Sequence, residues 1–275
     1  MENNLVIGNT SQLSKYFPKD YIKISSRNID NEILFKKWNS VYITFAKQNV
    51  FENTNENFVD LNTYYTLDII EKLLDNSEKI VVYTTCEMFN NVYGPVNVDI
   101  RPSFLPKDNN NYTSYILSKF LLCEIIKNNR KKDNKWEKVV IIHPFNFESV
   151  YKNKYFLFGK VTNSILNKEK IEIYDIDFYK DLLHASRMVE ESIKANTDSV
   201  IGSGKLINVK DTVKQIYNFF DMDYNKYVKE LPTFNKKYNF YYSENKLNHN
   251  FFDDMVFDIK NLIYLNHDSQ NRTSC

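Results

Sequence analysis

Glycine is scarce in this chain, with five residues in 275. That excludes collagen-like and glycine-rich low-complexity architectures. It also gives each glycine weight, because in such a chain a glycine marks a backbone position that needs φ > 0 or close approach. Cysteine is equally rare. Cys86, Cys123 and Cys275 are odd in number and follow no spacing pattern, which argues against a disulfide framework or a zinc site. Cys123 lies in an apolar run and reads as a small core residue. Charge of either sign is not in excess. A net charge of +1 gives no electrostatic reason to expect nucleic acid or an anionic membrane as partner. The basic run KNNRKKDNKWEK (127–138) reads as a solvated helix end or loop. No apolar run reaches a spanning length. The opening MENNLVIGNT has no basic segment and only a short apolar one, so no signal peptide is visible. The expectation is a soluble, cytoplasmic protein without a metal. His143 and His184 have no second ligand at metal spacing and read as hydrogen-bonded structural histidines.

The remaining composition is ordinary for a globular chain, with 43% apolar and 26% charged residues. The length suffices for one large domain or two intimate ones. There is no internal repeat and no long linker. Short apolar, β-branched runs at NLVIGN (4–9), YIKIS (21–25), SVYITFA (40–46), KIVVYTT (79–85) and KVVIIHPFNF (138–147) predict buried strands. Between them, TSQLSKYF (10–17), residues 58–77 and residues 112–129 show helical spacing or caps. Strands alternating with helices predict a parallel sheet covered on both faces. Ligands of such sheets sit at the carboxyl ends of the strands.

Two places carry candidate chemistry. Tyr115 and Lys119 lie four residues apart on a predicted helix, so both can share one face. With 20 tyrosines in a lysine-rich chain, about two such matches arise by chance, and Tyr242 with Lys246 is the second. Context favours the first, because it follows a central strand. The other place is the first strand-to-helix turn, GNTSQLS (8–14). Dinucleotide folds place three spaced glycines here. This chain keeps Gly8 and has Ser11 and Ser14 at the other two positions. An ordinary Ser-capped turn is the competing reading.

Taken in order, these features resemble the extended short-chain dehydrogenase/reductase family of nucleotide-sugar epimerases, dehydratases and reductases. The turn at Gly8 is followed by NID, with Asp30 at the adenine-contacting position. YITFA, ending at Ala46, resembles the family's fourth-strand segment. NTYYT supplies Asn62 and Thr66, and YTTCEMFNNVYG supplies Thr84, Thr85, Cys86 and Glu87. YILSK carries the Tyr-x-x-x-Lys pair. IIHPFNF supplies Pro144 and Asn146, FYKDLLHASRMV supplies Lys180, Asp181 and His184, and SVIGSG supplies Gly202 and Gly204. Four of the five glycines, Gly8, Gly94, Gly202 and Gly204, fall at these landmarks.

The resemblance implies a doubly wound Rossmann-type α/β fold. Residues 1–147 would bind the dinucleotide. Residues 148–275 would mainly bind substrate, with segments returning to the first part. The chain is short for the family, which suggests a trimmed substrate-binding part. The resemblance further implies hydride transfer between a nicotinamide and a carbonyl or carbinol carbon. Tyr115 would exchange the proton, its pKa lowered by Lys119, and Thr85 would hold the reacting oxygen. The cofactor would be held by Gly8, Asn9, Thr10, Ser11, Gln12, Leu13, Ser26, Arg27, Asp30, Phe45, Ala46, Lys47, Asn62, Tyr115, Lys119 and Pro144. The substrate would be held by Thr85, Cys86, Glu87, Asn146 and Lys180. Cysteine replaces the acid that dehydratases of the family carry, which disfavours dehydration. At the end of the second strand Ser25, Ser26 and Arg27 stand where NAD binders have an acid, which favours NADP(H), with NAD(H) also possible. The expected function is an NADP-dependent reductase of a keto nucleotide sugar. A C4 epimerase using NAD is the close alternative, and a non-catalytic dinucleotide sensor or scaffold is the alternative of another class. Helices 58–77 and 112–129 are apolar beyond one face, with Leu117, Phe120, Leu121 and Ile125 around the second, which predicts a homodimer.

Overall fold

A computed structural model of the chain describes residues 3–27, 29–48, 50, 57–106, 110–174, 176–232 and 240–272. Cys275 lies outside them. The strands are β1 Asn4–Ile7, β2 Ile22–Ile24, β3 Trp38–Ile43, β4 Ser77–Tyr83, β5 Gly94–Val96, β6 Val139–Pro144, β7 Asn146–Glu148, β8 Ile171–Tyr174, β9 Tyr179–His184, β10 Ser199–Ile201, β11 Leu206–Asn208, β12 Val228–Leu231 and β13 Tyr241–Ser243. The helices are α1 Asn31–Phe35, α2 Thr66–Leu73, α3 Asn110–Arg130, α4 Leu157–Asn167, α5 Ala185–Lys194, α6 Val209–Phe219, α7 Tyr224–Tyr227 and α8 Phe251–Arg272.

Six strands form one parallel sheet in the order β10-β6-β4-β3-β1-β2. Alternate residues of each strand enter opposite cores, as a pleat of period two requires. Leu5, Ile7, Val41, Ile43, Ile80, Val82, Val139 and Ile141 pack with Leu67, Ile70, Leu122 and Ile126 of α2 and α3. Val6, Tyr42, Val81, Tyr83, Val140 and Ile142 pack on the other face with Leu13, Phe17, Met188 and Val189. Both faces are therefore covered, as the apolar runs predict. A further core gathers α4, α6 and α8 over Ile173 and Leu182, outside the large sheet. β10 returns to that sheet beside β6.

Two features depart from expectation. Residues 10–17 do not form an α-helix but a single 3-10 turn, Leu13–Lys15. The Ser14 hydroxyl donates to the carbonyls of Asn9 (2.8 Å) and Ser11 (2.7 Å). Such bonds compete with the helical ladder, and Pro18 closes the segment. Leu13 and Phe17 are buried all the same, each 3% exposed, so their apolar spacing is satisfied by the shorter turn. The other is the rank of the YITFA strand, which is third in chain order and not fourth. β2 goes to β3 through residues 25–37 and the five-residue α1, with no strand between them among the described residues, so β2 is the edge of the sheet. Because the connection passes over β1, the strand order reverses between β1 and β3. A doubly wound sheet opens its ligand crevice at such a reversal.

Candidate functional site

A cavity of about 1100 Å³ opens at that reversal. Its walls include Gly8, Thr10, Ser11, Gln12 and Leu13 from the turn after β1. Ser26 and Arg27 after β2, and Phe45, Ala46 and Lys47 after β3, continue them. Ten of the expected cofactor residues thus meet in one place. Gly8 has φ +114°, and a Cβ there would lie 2.8 Å from both the Phe45 nitrogen and the Thr44 hydroxyl. Only glycine lets β1 and β3 approach so closely. The Ser11 hydroxyl donates to the Thr44 hydroxyl at 2.9 Å, so the serine at the second glycine position ties the turn to β3. Among the described residues, the amides of Thr10, Gln12 and Leu13 find no protein acceptor. Arg27, Lys47 and Lys152 bring three cations to the lining against the single carboxylate of Asp60. Open amides and surplus positive charge fit an anionic ligand of dinucleotide size.

Four expected cofactor residues play other parts. Asn62 is wholly buried. Its carboxamide accepts from the Lys47 amide (2.8 Å) and donates to the Lys47 carbonyl (3.1 Å) and the Ser118 hydroxyl (3.1 Å). It clamps the loop after β3 to α3 and has nothing left for a ligand. Asp30 caps α1, accepting from the Glu32 amide at 3.0 Å. Asn9 gives its amide to Ile24 of β2 (3.0 Å), and Pro144 ends the buried β6; neither lines the cavity.

Tyr115 and Lys119 share one face of α3, beside the end of β4. Phe58 lies beside Tyr115, meeting its ring edge-on at 6.4 Å, and sits 5.1 Å beneath the Lys47 ammonium. Burial pushes the Tyr115 phenol above its ordinary range, while a hydrogen bond with Thr85 works the other way. Here the expectation is corrected. Lys119 does not lower the Tyr115 pKa. Lys119 is 3% exposed as a residue, its ammonium donates to the Tyr83 carbonyl at 2.9 Å, and burial brings its own pKa down to about 8. The arrangement holds a protonated phenol against a threonine hydroxyl, with a lysine fixed one turn away.

The expected substrate residues gather nearby. Cys86 is buried 4.0 Å from the Tyr241 hydroxyl, and burial pushes its thiol upward. Tyr112 donates to the Glu87 carboxylate. The Lys180 ammonium donates to the Asn146 carbonyl oxygen at 3.2 Å. Asp181 accepts from Ser203 (amide 2.6 Å, hydroxyl 2.7 Å), the Gly204 amide (3.1 Å) and the Ser243 amide (2.9 Å), so it is a structural tie. His184 caps α5 and sits 3.3 Å from Asp258. His143 meets the Thr84 hydroxyl at 2.6 Å, and burial lowers its pKa to about 4, so both expected structural histidines are hydrogen-bonded. No cluster of three or more metal-ligating side chains occurs among the described residues. Nor is any described helix long and apolar enough to cross a membrane.

No family model matches the chain, and no curated protein matches it in sequence. Solved structures do match it. A UDP-N-acetylglucosamine 4-epimerase from Methanobrevibacter ruminantium M1, in complex with UDP-N-acetylmuramic acid, superposes with a TM-score of 0.74 at 14% identity, over 97% of this chain and 99% of that one. RMD from Pseudomonas aeruginosa, complexed with NADPH, gives 0.73 at 13% identity over 94% and 97%. DesIV, a dTDP-glucose 4,6-dehydratase from Streptomyces venezuelae with NAD and TYD bound, gives 0.69 at 14% over 94% and 96%. The fold is that of the extended short-chain dehydrogenase/reductases. Within that short-chain dehydrogenase fold, what motif reasoning missed is the wall contributed by residues 147–156, with Phe147, Tyr151, Lys152 and Phe156. The segment has no periodicity and no motif, and its lysine is one of many. Only Gly159, the single glycine outside the family landmarks, hints at a tight packing site beside it.

Proposed function

We propose that the chain is an NADP(H)-dependent reductase of a keto nucleotide sugar, a 4-keto-deoxysugar made for surface glycans. The observation that carries this reading is the half-buried Tyr115, its phenol pushed upward by burial, beside Thr85 at the end of β4 and close to a cationic cavity with open turn amides. When bound there, the nicotinamide would supply the hydride. Thr85 would hold the substrate carbonyl oxygen in line with Tyr115. Tyr115 would give its proton to that oxygen as negative charge develops on it, and a group kept protonated at neutral pH suits this task. Lys119, bonded to the Tyr83 carbonyl one turn away, would fix the end of β4 against the helix face that carries Tyr115. Cys86 is held as a neutral thiol and Glu87 is engaged by Tyr112, so neither is free to drive elimination of water. In this reading residues 1–147 hold the cofactor and most of 148–275 the sugar nucleotide. The neighbours support the substrate class, since they include a UDP-N-acetylglucosamine 4-epimerase in complex with UDP-N-acetylmuramic acid and a dTDP-glucose 4,6-dehydratase.

Arg27 would meet the 2′-phosphate. A guanidinium binds such a group bidentately, which predicts a ten- to hundredfold preference, on the order of 1.5–3 kcal/mol, for NADPH over NADH. Fluorescence titration of both cofactors into wild type and Arg27→Ala tests this, together with NADPH turnover on a panel of keto sugars. Arg27→Ala should lose most of the preference by weakening NADPH alone. Equal binding of NADH by the wild type would move the epimerase reading ahead. Binding without any turnover would favour the sensor.

The dimer is part of the proposal. α3 buries Ile116, Leu122 and Ile126, whereas Leu117 and Leu121 are 41% and 36% exposed, one turn apart on the outer face. Phe120 and Ile125 turn inward, against Phe104 and the sheet core, so the outer stripe is narrower than the sequence predicts. Light scattering should report twice the chain mass at micromolar concentration.

A further inference from the structure

The usual dinucleotide turn leads into a helix whose N-terminus carries about half a positive charge toward the pyrophosphate. Here that helix is reduced to the three residues Leu13–Lys15, and two of the three turn glycines are serines. The backbone contribution to anion binding is correspondingly weakened. The opposite wall offers a replacement. Lys152 lines the same cavity as the turn. Its side chain is only 13% exposed, and its ammonium lies 4.7 Å from the Phe156 ring centroid and 5.6 Å from that of Phe147. The nearest carboxylate oxygen, on Glu148, is 3.8 Å away, too far for a hydrogen bond. Burial raises the pKa of Glu148, which weakens it further as a counter-ion. Among the described residues the Lys152 ammonium has no hydrogen-bond acceptor.

The segment is built to reach the turn. The Gln12 carboxamide donates to the Phe147 carbonyl (3.3 Å) and accepts from the Ser149 hydroxyl (2.9 Å), joining the two walls directly. The Lys152 amide closes a tight turn on the Ser149 carbonyl at 3.1 Å. That turn rests on α4 at Gly159. A Cβ at this position would stand 2.3 Å from the Asn153 carbonyl oxygen and 2.6 Å from that of Lys152, contacts no side chain tolerates. A glycine inside a helix costs about 1 kcal/mol against alanine. In a glycine-poor chain its place here is explained by the seating of Lys152.

We propose that Lys152, seated by Gly159 as a positioning residue, binds the pyrophosphate of the dinucleotide in place of the missing helix. The inference rests on the dinucleotide reading of the cavity. Sugar nucleotides also carry a diphosphate, so the test separates the two sources. NADPH, ADP-ribose, 2′,5′-ADP and UDP are titrated into the full chain as wild type, Lys152→Met, Lys152→Arg, Gly159→Ala and the Gly159→Ala/Lys152→Met double variant. The methionine variant should bind NADPH and ADP-ribose about tenfold more weakly. It should bind 2′,5′-ADP, which lacks the pyrophosphate, within about twofold of wild type, and arginine should restore most of the loss. Gly159→Ala should lose ADP-ribose affinity relative to 2′,5′-ADP, and the double variant should be no worse than Lys152→Met in that ratio, because the two changes act on one contact. Undiminished ADP-ribose binding by Lys152→Met overturns the proposal, as does a loss confined to UDP. If the wild type binds neither NADPH nor ADP-ribose, the dinucleotide reading itself fails.

Discussion

The chain contains the same five-residue pattern twice, and the two copies could hardly differ more. Tyr115 and Lys119 sit on α3, both largely enclosed, with Thr85 against the phenol and the Tyr83 carbonyl on the ammonium. Tyr242 lies in β13, paired beside Pro95, and Lys246 is exposed four residues further on. One helical turn brings residues four apart to about 6 Å. Extended chain carries them to about 13 Å. The residues are identical, so what makes one pair a candidate for chemistry is the element beneath it and the strand end facing it.

The contrast can be broken by substitution. The largest expected effect is on Tyr115→Phe. Turnover should fall by at least about two orders of magnitude, the scale of losing an acid-base group, while NADPH affinity stays near wild type. A Phe variant with nearly normal rates would remove Tyr115 from the mechanism.

Lys119→Met sharpens the comparison on the stability side. Burial has brought the folded pKa of Lys119 to about 8, from 10.5 for a free lysine. Below about pH 8 both folded and unfolded chains carry the charge, and the folded chain bears the cost of burying it. Between about 8 and 10.5 only the unfolded lysine stays protonated, so this group makes stability rise with pH. The variant should be more stable than wild type at pH 7, on the order of 1–2 kcal/mol after the lost bond to Tyr83 is counted. Its advantage should shrink between pH 8 and 10. Urea melts of both proteins across that range measure the difference, in which the tyrosines and cysteines common to both cancel. An advantage that does not change with pH would mean that Lys119 is not buried in its charged form.

The smallest effect belongs to the other copy. Tyr242→Phe should leave turnover within about twofold and unfolding unchanged, assayed side by side with Tyr115→Phe.

Much of this was legible in the residues, and the limits have physical causes. Alternating burial on both faces needs continuous apolar strands, and those runs are plain in the text of the chain. Gly8, residues 10–13, 26–27 and 45–47 line one cavity because a doubly wound sheet sends every strand's carboxyl end to the same side. Roles that depend on a side chain's partner were not legible. Asn62 and Asp30 stand where the resemblance implies cofactor contacts, yet spend their polar atoms on the protein itself. The helix after β1 was expected because Leu13 and Phe17 have helical spacing, but the Ser14 hydroxyl captures the Asn9 and Ser11 carbonyls first. Lys152 was hidden for a different reason. It comes to the cavity from well over a hundred residues away on a segment with no period, and nothing local distinguishes it from other lysines.

The end of the sheet at β2 bears on how the protein behaves in bulk. An open strand edge is a template on which another chain can pair and aggregates can grow. This one is three residues long, with Ile22 40% exposed, and its central Lys23 is folded back to the Phe17 carbonyl at 2.8 Å. So short an edge offers a neighbour too few hydrogen bonds to hold it. An engineered insertion that lengthened β2 by two or three apolar residues would remove that protection, turning a harmless margin into a seed for insoluble protein.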